Sequence, residues 1–560
     1  MRTLWITLIG VLSISAVLLA TASDTRVADA AMQGDRELVR TLLKTGADVN
    51  AAHGDGMSAL HWAAYKDDAE MVQTLIYAGA NIAAVTRINA MTPLFVAAQN
   101  GSANVIDVLL KAGSNPNAVL TTGATPLMFA ARSGSAAAVK ALLEKGADAN
   151  AKEKGRGETA LMFAAASNRP AAIKELLAHG ANPSIASTVV DIAAKTGVPA
   201  GAGNRRGAPP AVAATSTVGP RGAAAAAAGA VAPEAPRGAA AAAPAAAAGR
   251  GGAGAGAPPA NMDDERPSKI EFMGGLTPLL LAARQGHVEA VQSLIEGGTK
   301  VNEVSPGDKT SPLLIATING HYDVAKLLLE KGADPRLAST AGATPLYATL
   351  NVKWAPKTDY PQPDVRQEKT SYLDLLTALL DKGAEPNARL KNELWYSGYN
   401  FELTSADAAG ATALWRAAQA ADVPAMRLLL ARGADPKLKA ANGVSILHVA
   451  SGAGVHGNDE VTATGSWMPG LAFVVNELKG DVNEADDRGF TALHHAASRG
   501  DNDMILFLVA KGARADTVAR NGQTVVDLAN GPRQRIQPFH ETIALLMALG
   551  SQNSHKCVSC

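Results

Sequence analysis

The sequence predicts an all-α solenoid in two arrays, on three observations. A tetrapeptide opening with serine or threonine recurs every 33 or 34 residues, an alanine pair follows it, and a glycine closes the unit. Ser58-Ala-Leu-His61, Thr92-Pro-Leu-Phe95, Thr125-Pro-Leu-Met128 and Thr159-Ala-Leu-Met162 mark the first array. Thr277-Pro-Leu-Leu280, Ser311-Pro-Leu-Leu314, Thr344-Pro-Leu-Tyr347, Thr412-Ala-Leu-Trp415, Ser445-Ile-Leu-His448 and Thr491-Ala-Leu-His494 mark the second, and a decayed copy begins near Thr524. About five and six to seven repeats are expected.

Each element has a physical reason. Serine or threonine at the start of a unit is a helix N-cap, and proline at the next position fits the first helical turn, where no amide donor is needed. Alanine pairs such as Ala97-Ala98 and Ala130-Ala131 let that first helix press against its neighbour. A second helix follows in stretches such as "VIDVLLKAG" and "AVKALLEKG", and Gly113 or Gly146 suits the left-handed residue that ends it. No unit can bury its apolar face alone, so stacking creates the core.

This pattern resembles the ankyrin repeat, whose signature is T-P-L-H-x-A with a 33-residue period. The resemblance covers nearly all of the chain outside a leader, one linker and the tail. It implies an α-helical scaffold that binds other proteins through its concave face and fingers. The positions where family members make contacts carry Tyr65, Lys66, Gln99, Asn100, Arg132 and Ser133 on the first helices, and Arg156 and Glu158 on a finger. His61, His448 and His494 fall on the signature histidine, where a hydrogen bond to neighbouring backbone is expected. Trp62, Phe129 and Phe163 have the spacing of inter-repeat packing residues.

Composition narrows the partners. Lysine plus arginine equals aspartate plus glutamate at 51 each, so no global field attracts nucleic acid. Protein partners and a monomer are expected. There is no H-E-x-x-H, G-x-S-x-G or P-loop, so no enzyme, metal or cofactor is expected from the arrays. Gly249-Arg-Gly-Gly-Ala-Gly254 is formally G-x-G-x-x-G, but it has no strand before it and no helix after it. His495 and His540 have no evident ligand partners.

The boundaries follow from composition. Residues 1–22 read as a signal peptide: Arg2 precedes an apolar run, and Ala20-Thr21-Ala22 offers a cleavage pattern. An uncleaved membrane anchor is the alternative. Export is expected either way, to the periplasm or the exterior. The first array occupies 23–196. Residues 197–265 are rich in Ala, Gly and Pro and read as a disordered linker, long enough to part its ends by roughly 45 Å and orient the arrays independently. The second array spans 266–553, with insertions near 353–370, 391–408 and 453–469, and 554–560 form a tail.

Aromatics supply only 4% of the chain, yet Trp354, Tyr360, Trp395, Tyr396, Tyr399, Phe401 and Trp467 gather in those insertions. Two explanations stand: a partner-binding surface, or rings that pack the insertions onto the array. The tail ends in "CVSC", and Cys557 and Cys560 are the chain's two cysteines. The spacing suits a local disulfide or free thiols on a frayed tail. It also resembles an incomplete c-type haem motif, C-x-x-C-H, which implies covalent haem and an electron-transfer role only if the chain continues past Cys560.

Overall fold

The computed structural model describes residues 24–191, 272–355, 365–392, 394, 408–454, 461–531 and 537–556. The expected signal peptide at 1–22, the whole of the expected linker at 197–265 and the two cysteines lie outside them. The described residues fold as twelve stacked helix pairs, five before the long alanine-rich segment and seven after it. In order, the first five pairs are α1 (Arg26–Gln33) with α2 (Arg36–Lys44), α3 (Ala59–Tyr65) with α4 (Ala69–Tyr77), α5 (Pro93–Asn100) with α6 (Ala103–Lys111), α7 (Pro126–Ser133) with α8 (Ala136–Glu144), and α9 (Ala160–Ala166) with α10 (Pro170–Ala178). Strands β1 (Val189–Asp191) and β2 (Phe272–Gly274) follow. Then come α11 (Pro278–Arg284) with α12 (Val288–Glu296), α13 (Pro312–Ile318) with α14 (Tyr322–Glu330), α15 (Pro345–Lys353) with α16 (Tyr372–Asp381), and α17 (Ala413–Gln419) with α18 (Val423–Ala431). The last three are α19 (Ile446–Ala450) with α20 (Met468–Ala472), α21 (Ala492–Ala497) with α22 (Asn502–Ala510), and α23 (Val525–Asn530) with α24 (His540–Ala548). We number these pairs as repeats 1 to 12.

The caps form as the side chains dictate. Thr277, Ser311, Thr344 and Thr412 each accept from the amide three residues on, and proline fills the first turn in α5, α7, α11, α13 and α15. First helices stack on first helices from α1 to α23, with their alanine pairs fully buried at the contact. Second helices form an outer layer whose leucines close the core. Asparagines in the loops add polar rungs: Asn150 donates to the Gly180 carbonyl at 3.2 Å and accepts from the Asn182 amide at 2.8 Å. Asn117, Asn302, Asn387 and Asn483 repeat this pattern.

The two arrays do not part at the long segment, which corrects the expectation of independent orientation. α9 packs on α11 and α10 on α12, as any neighbouring repeats do. His287 Nε2 lies 3.1 Å from the Ala166 carbonyl, and Asn168 accepts from the Ala290 amide at 3.2 Å. Segment 192–271 leaves and re-enters through one antiparallel hairpin, in which Asp191 faces Phe272 and Val189 faces Gly274. Gly274 has φ +95°, and a Cβ there would sit 2.3 Å from the Thr188 carbonyl oxygen, so only glycine fits this close approach. The physical reason for continuity is burial. Parting repeats 5 and 6 would expose Leu161, Leu176, Leu279 and Leu294, each buried now and each contributing about 2 kcal/mol.

Residues 554–556 are docked on repeat 12. Ser554 donates its hydroxyl to Asp527 at 2.5 Å and its amide to the same carboxylate at 3.0 Å, and Gln523 Nε2 donates to the Lys556 carbonyl at 2.7 Å. Residues 554–556 stand where a next finger would be, so the expected fraying of the 554–560 tail does not hold for them, and 557–560 lie outside the described residues.

Continuity across repeats 5 and 6 yields a prediction. Replacing residues 192–271 by Asn-Gly, which closes the Asp191 and Phe272 pair as a two-residue hairpin, leaves a folded chain whose melting temperature changes little. Calorimetry checks it. Loss of the transition, or its separation into two that fall well below the parent, would contradict continuity.

Candidate protein-binding surface

Each first helix presents its fifth, eighth and ninth residues, counted from the cap, on the side away from the second helices. In repeats 2 to 6 the eighth and ninth positions are open or half-open, while Val96 and Leu281 at the fifth are buried. Tyr65 is 56% exposed, and Lys66, Gln99, Asn100 and Arg132 are exposed as well. Asn100 is partly committed, since its amide donates to the Tyr65 carbonyl at 2.8 Å. On the finger between repeats 4 and 5 the Arg156 side chain is 80% exposed, with Glu158 4.0 Å away and more sheltered.

Trp62, Phe129 and Phe163 occupy the fifth positions and are half-buried. Trp62 donates its indole N–H to His53 Nδ1 at 3.1 Å and meets Tyr65 edge-on. Phe129 meets Phe95 of the preceding repeat edge-on at 5.6 Å, and the Arg132 guanidinium lies 5.1 Å from the centre of the Phe129 ring. Phe129 shows the expected inter-repeat packing, and all three rings stay partly uncovered. Val85, Ile88 and Val119, on neighbouring fingers, are exposed β-branched side chains that composition did not single out. Aligning the repeats by register would have found them.

In repeats 8 to 11 the equivalent face is covered by the chain itself. Asn351, Ala420, Val449 and Ala453 are buried. Trp354 is only 9% exposed, donates its indole N–H to the Asp422 carboxylate at 2.8 Å and packs edge-on against Tyr372. Its carbonyl accepts from Arg416, whose Nε also donates to Asn351 at 3.2 Å. Trp467 donates to the Gln419 carbonyl at 3.1 Å, and Arg499 stacks 3.6 Å from its ring centre. The Ala463 amide donates to the Ala420 carbonyl at 3.0 Å. Trp354 and Trp467 thus act as anchors that hold insertions onto the array, because an indole buried with its insertion must find an acceptor. Tyr360, Trp395, Tyr396, Tyr399, Phe401, Cys557 and Cys560 lie outside the described residues.

All three signature histidines make the expected hydrogen bond to neighbouring backbone. His61 Nδ1 accepts from the Ser58 amide at 3.2 Å, which leaves the proton on Nε2 to donate to the Met91 carbonyl at 3.0 Å. His448 does the same between Ser445 and the Glu484 carbonyl. His494 Nδ1 accepts from the Thr491 amide at 3.1 Å, with the Gln523 backbone also acting on its ring, and Nε2 of His495 is buried without a partner among the described residues. His495 meets His448 edge-on at 5.8 Å, and Phe490 closes the cluster. Burial pushes His494 down to about 4 and His495 well below the ordinary imidazole range. Among the described residues no three His, Cys, Asp or Glu side chains converge as a metal site, and no helix is long and apolar enough to cross a membrane.

A stack of helix pairs with a half-open face and projecting fingers defines a class: a helical-repeat binding scaffold. The chain belongs to the ankyrin repeat family. Family models for ankyrin repeats match residues 27–119, 94–187, 258–339, 409–440 and 474–529, which spans both sides of the long segment. No curated protein matches the chain.

The histidine cluster makes stability pH-dependent. The folded-state values lie below the unfolded value near 6.5, so the unfolded chain binds these protons more tightly. The stabilisation is complete above about pH 6.5 and is lost as the pH falls toward 4. Chemical denaturation should show the C-terminal repeats losing on the order of 2 kcal/mol for each of these two histidines between pH 7 and 5. The loss should shrink in His495→Leu, and an unchanged loss would contradict the assignment.

Proposed function

We propose that this chain is an exported ankyrin-repeat scaffold that binds another protein across the open face of repeats 2 to 6. The observation that carries the reading is the contrast along one face: Tyr65, Lys66, Gln99, Asn100 and Arg132 stand exposed, while their counterparts in repeats 8 to 11 are covered by the chain's own insertions. Half-open aromatic rings beside mixed polar groups suit protein recognition, in which large rings supply most of the affinity and polar neighbours set register. Arg156 and Glu158 extend the surface onto a finger. Tyr360, Trp395, Tyr396, Tyr399 and Phe401 are proposed as a second contact, on the aromatic richness of their insertions.

The family consists mainly of non-enzymatic scaffolds, which fits binding alone, with the chain acting as a monomer that needs no cofactor. Neither the fold nor the family matches speak for the electron-transfer alternative. Export rests on the leader sequence, and the intact mass of protein purified from its host, lacking residues 1–22, is its direct check.

The binding face is tested by placing a photo-crosslinking amino acid at Gln99 and, separately, at the outer-layer residue Met547. Both are exposed. A discrete protein adduct from Gln99 and none from Met547 is expected in the native host. Adducts from Met547 alone would overturn the assignment of the face.

A further inference from the structure

The open face is not chemically uniform. Across the first helices of repeats 4 to 6 and the finger at 151–158, the charged side chains are Arg132, Lys152, Lys154, Arg156, Arg284, Glu153 and Glu158. Five cations thus face two carboxylates in a chain whose total charge is balanced. Glu153 is turned onto its own loop, accepting from the amides of Gly155, Arg156 and Glu158. Glu158 is shared: it lies 4.0 Å from Arg156 and also attracts Arg284 from farther off.

Arg284 is half-buried, and among the described residues no carboxylate reaches ion-pairing distance of it. Burial, reinforced by the nearby Arg156, holds its guanidinium below the ordinary range, with Glu158 opposing. A cation in that setting gains more from an incoming carboxylate than a solvated one does. Beside these groups run Phe129, Phe163 and the buried Leu281 at the fifth positions, and between Arg132 and Arg284 the eighth position is the small Ala166.

Resting on the protein-binding role proposed above, we infer that repeats 4 to 6 take an extended partner segment that is acidic and apolar, its carboxylates on Arg132, Arg156 and Arg284 and its apolar side chains on Phe129 and Phe163. Adjacent helices pack about 10 Å apart, so Arg132 and Arg284 stand roughly 20 Å apart, and about six extended residues span them. Three extended residues span about 10 Å, one repeat step, so a side chain recurring every third position meets the same row from one repeat to the next. Charge steering would make its association salt-dependent.

The test uses the full chain and labelled peptides of four Glu-Phe-Ser triplets, four Lys-Phe-Ser triplets and four Glu-Gly-Ser triplets, read by fluorescence anisotropy. The acidic aromatic peptide should bind about tenfold tighter than either other peptide, and more weakly as salt rises. Arg132→Glu with Arg284→Glu should lower that affinity by about tenfold or more, and Arg132→Gln with Arg284→Gln by less. Arg514→Glu with Arg520→Glu, far along the stack, should leave it unchanged. Equal binding of the lysine peptide, tighter binding of a twelve-nucleotide oligothymidine, or indifference of the affinity to both Arg132 and Arg284 pairs would overturn the inference. Crosslinking from Gln99 to a protein, together with no acidic preference, would sink this inference while leaving the binding face intact.

Discussion

A helix pair of this kind cannot bury its own apolar face, and everything else in the structure depends on that constraint. The first helices carry alanine pairs where another chain would carry larger residues, so backbones approach closely and each repeat completes its neighbour's core. The constraint acts across chain distance as readily as along it. Repeats 5 and 6 are separated by 80 undescribed residues, yet they meet through the same contacts as repeats joined by a short finger. The alanine-rich segment therefore reads as an insertion into one finger, tethered at both ends by the hairpin of β1 and β2.

The same constraint explains the two halves of the exposed face. Where fingers and turns are short, the ends of the first helices remain open and carry the chain's variable polar residues. Where insertions enter repeats 8 and 10, indole N–H groups draw them back onto the array through Asp422 and Gln419. Arg499 then takes the ninth position, exposed at Lys66 and Asn100, and Arg416 is buried against the Trp354 carbonyl. The insertions thus close the surface they border, and the open stretch lies toward the other end of the stack.

Much of this was legible in the sequence. The caps at Thr277 or Ser311, the alanine pairs and the glycine stops are local signals, and each produced the element it predicted. Partners far along the chain were not legible. Trp354 looked like a binding residue because its acceptor, Asp422, lies 68 residues on. The junction looked like a hinge because composition reports only what lies between two arrays, while the contacts that close it come from Asn168, His287 and Gly274. The polar excess around Arg284 was hidden for a similar reason: its neighbours sit on a finger more than a hundred residues earlier.

The most direct test of a single continuous stack is a distance measurement across repeats 4 and 6. Spin labels at Lys140 and Gln292, both exposed on the outer layer, would be introduced as cysteines with Cys557 and Cys560 replaced by serine. A narrow distribution centred near the separation of adjacent stacked pairs, about 20 Å for two steps, is the result a continuous stack requires. A broad distribution reaching several tens of ångströms would mean that the arrays move independently.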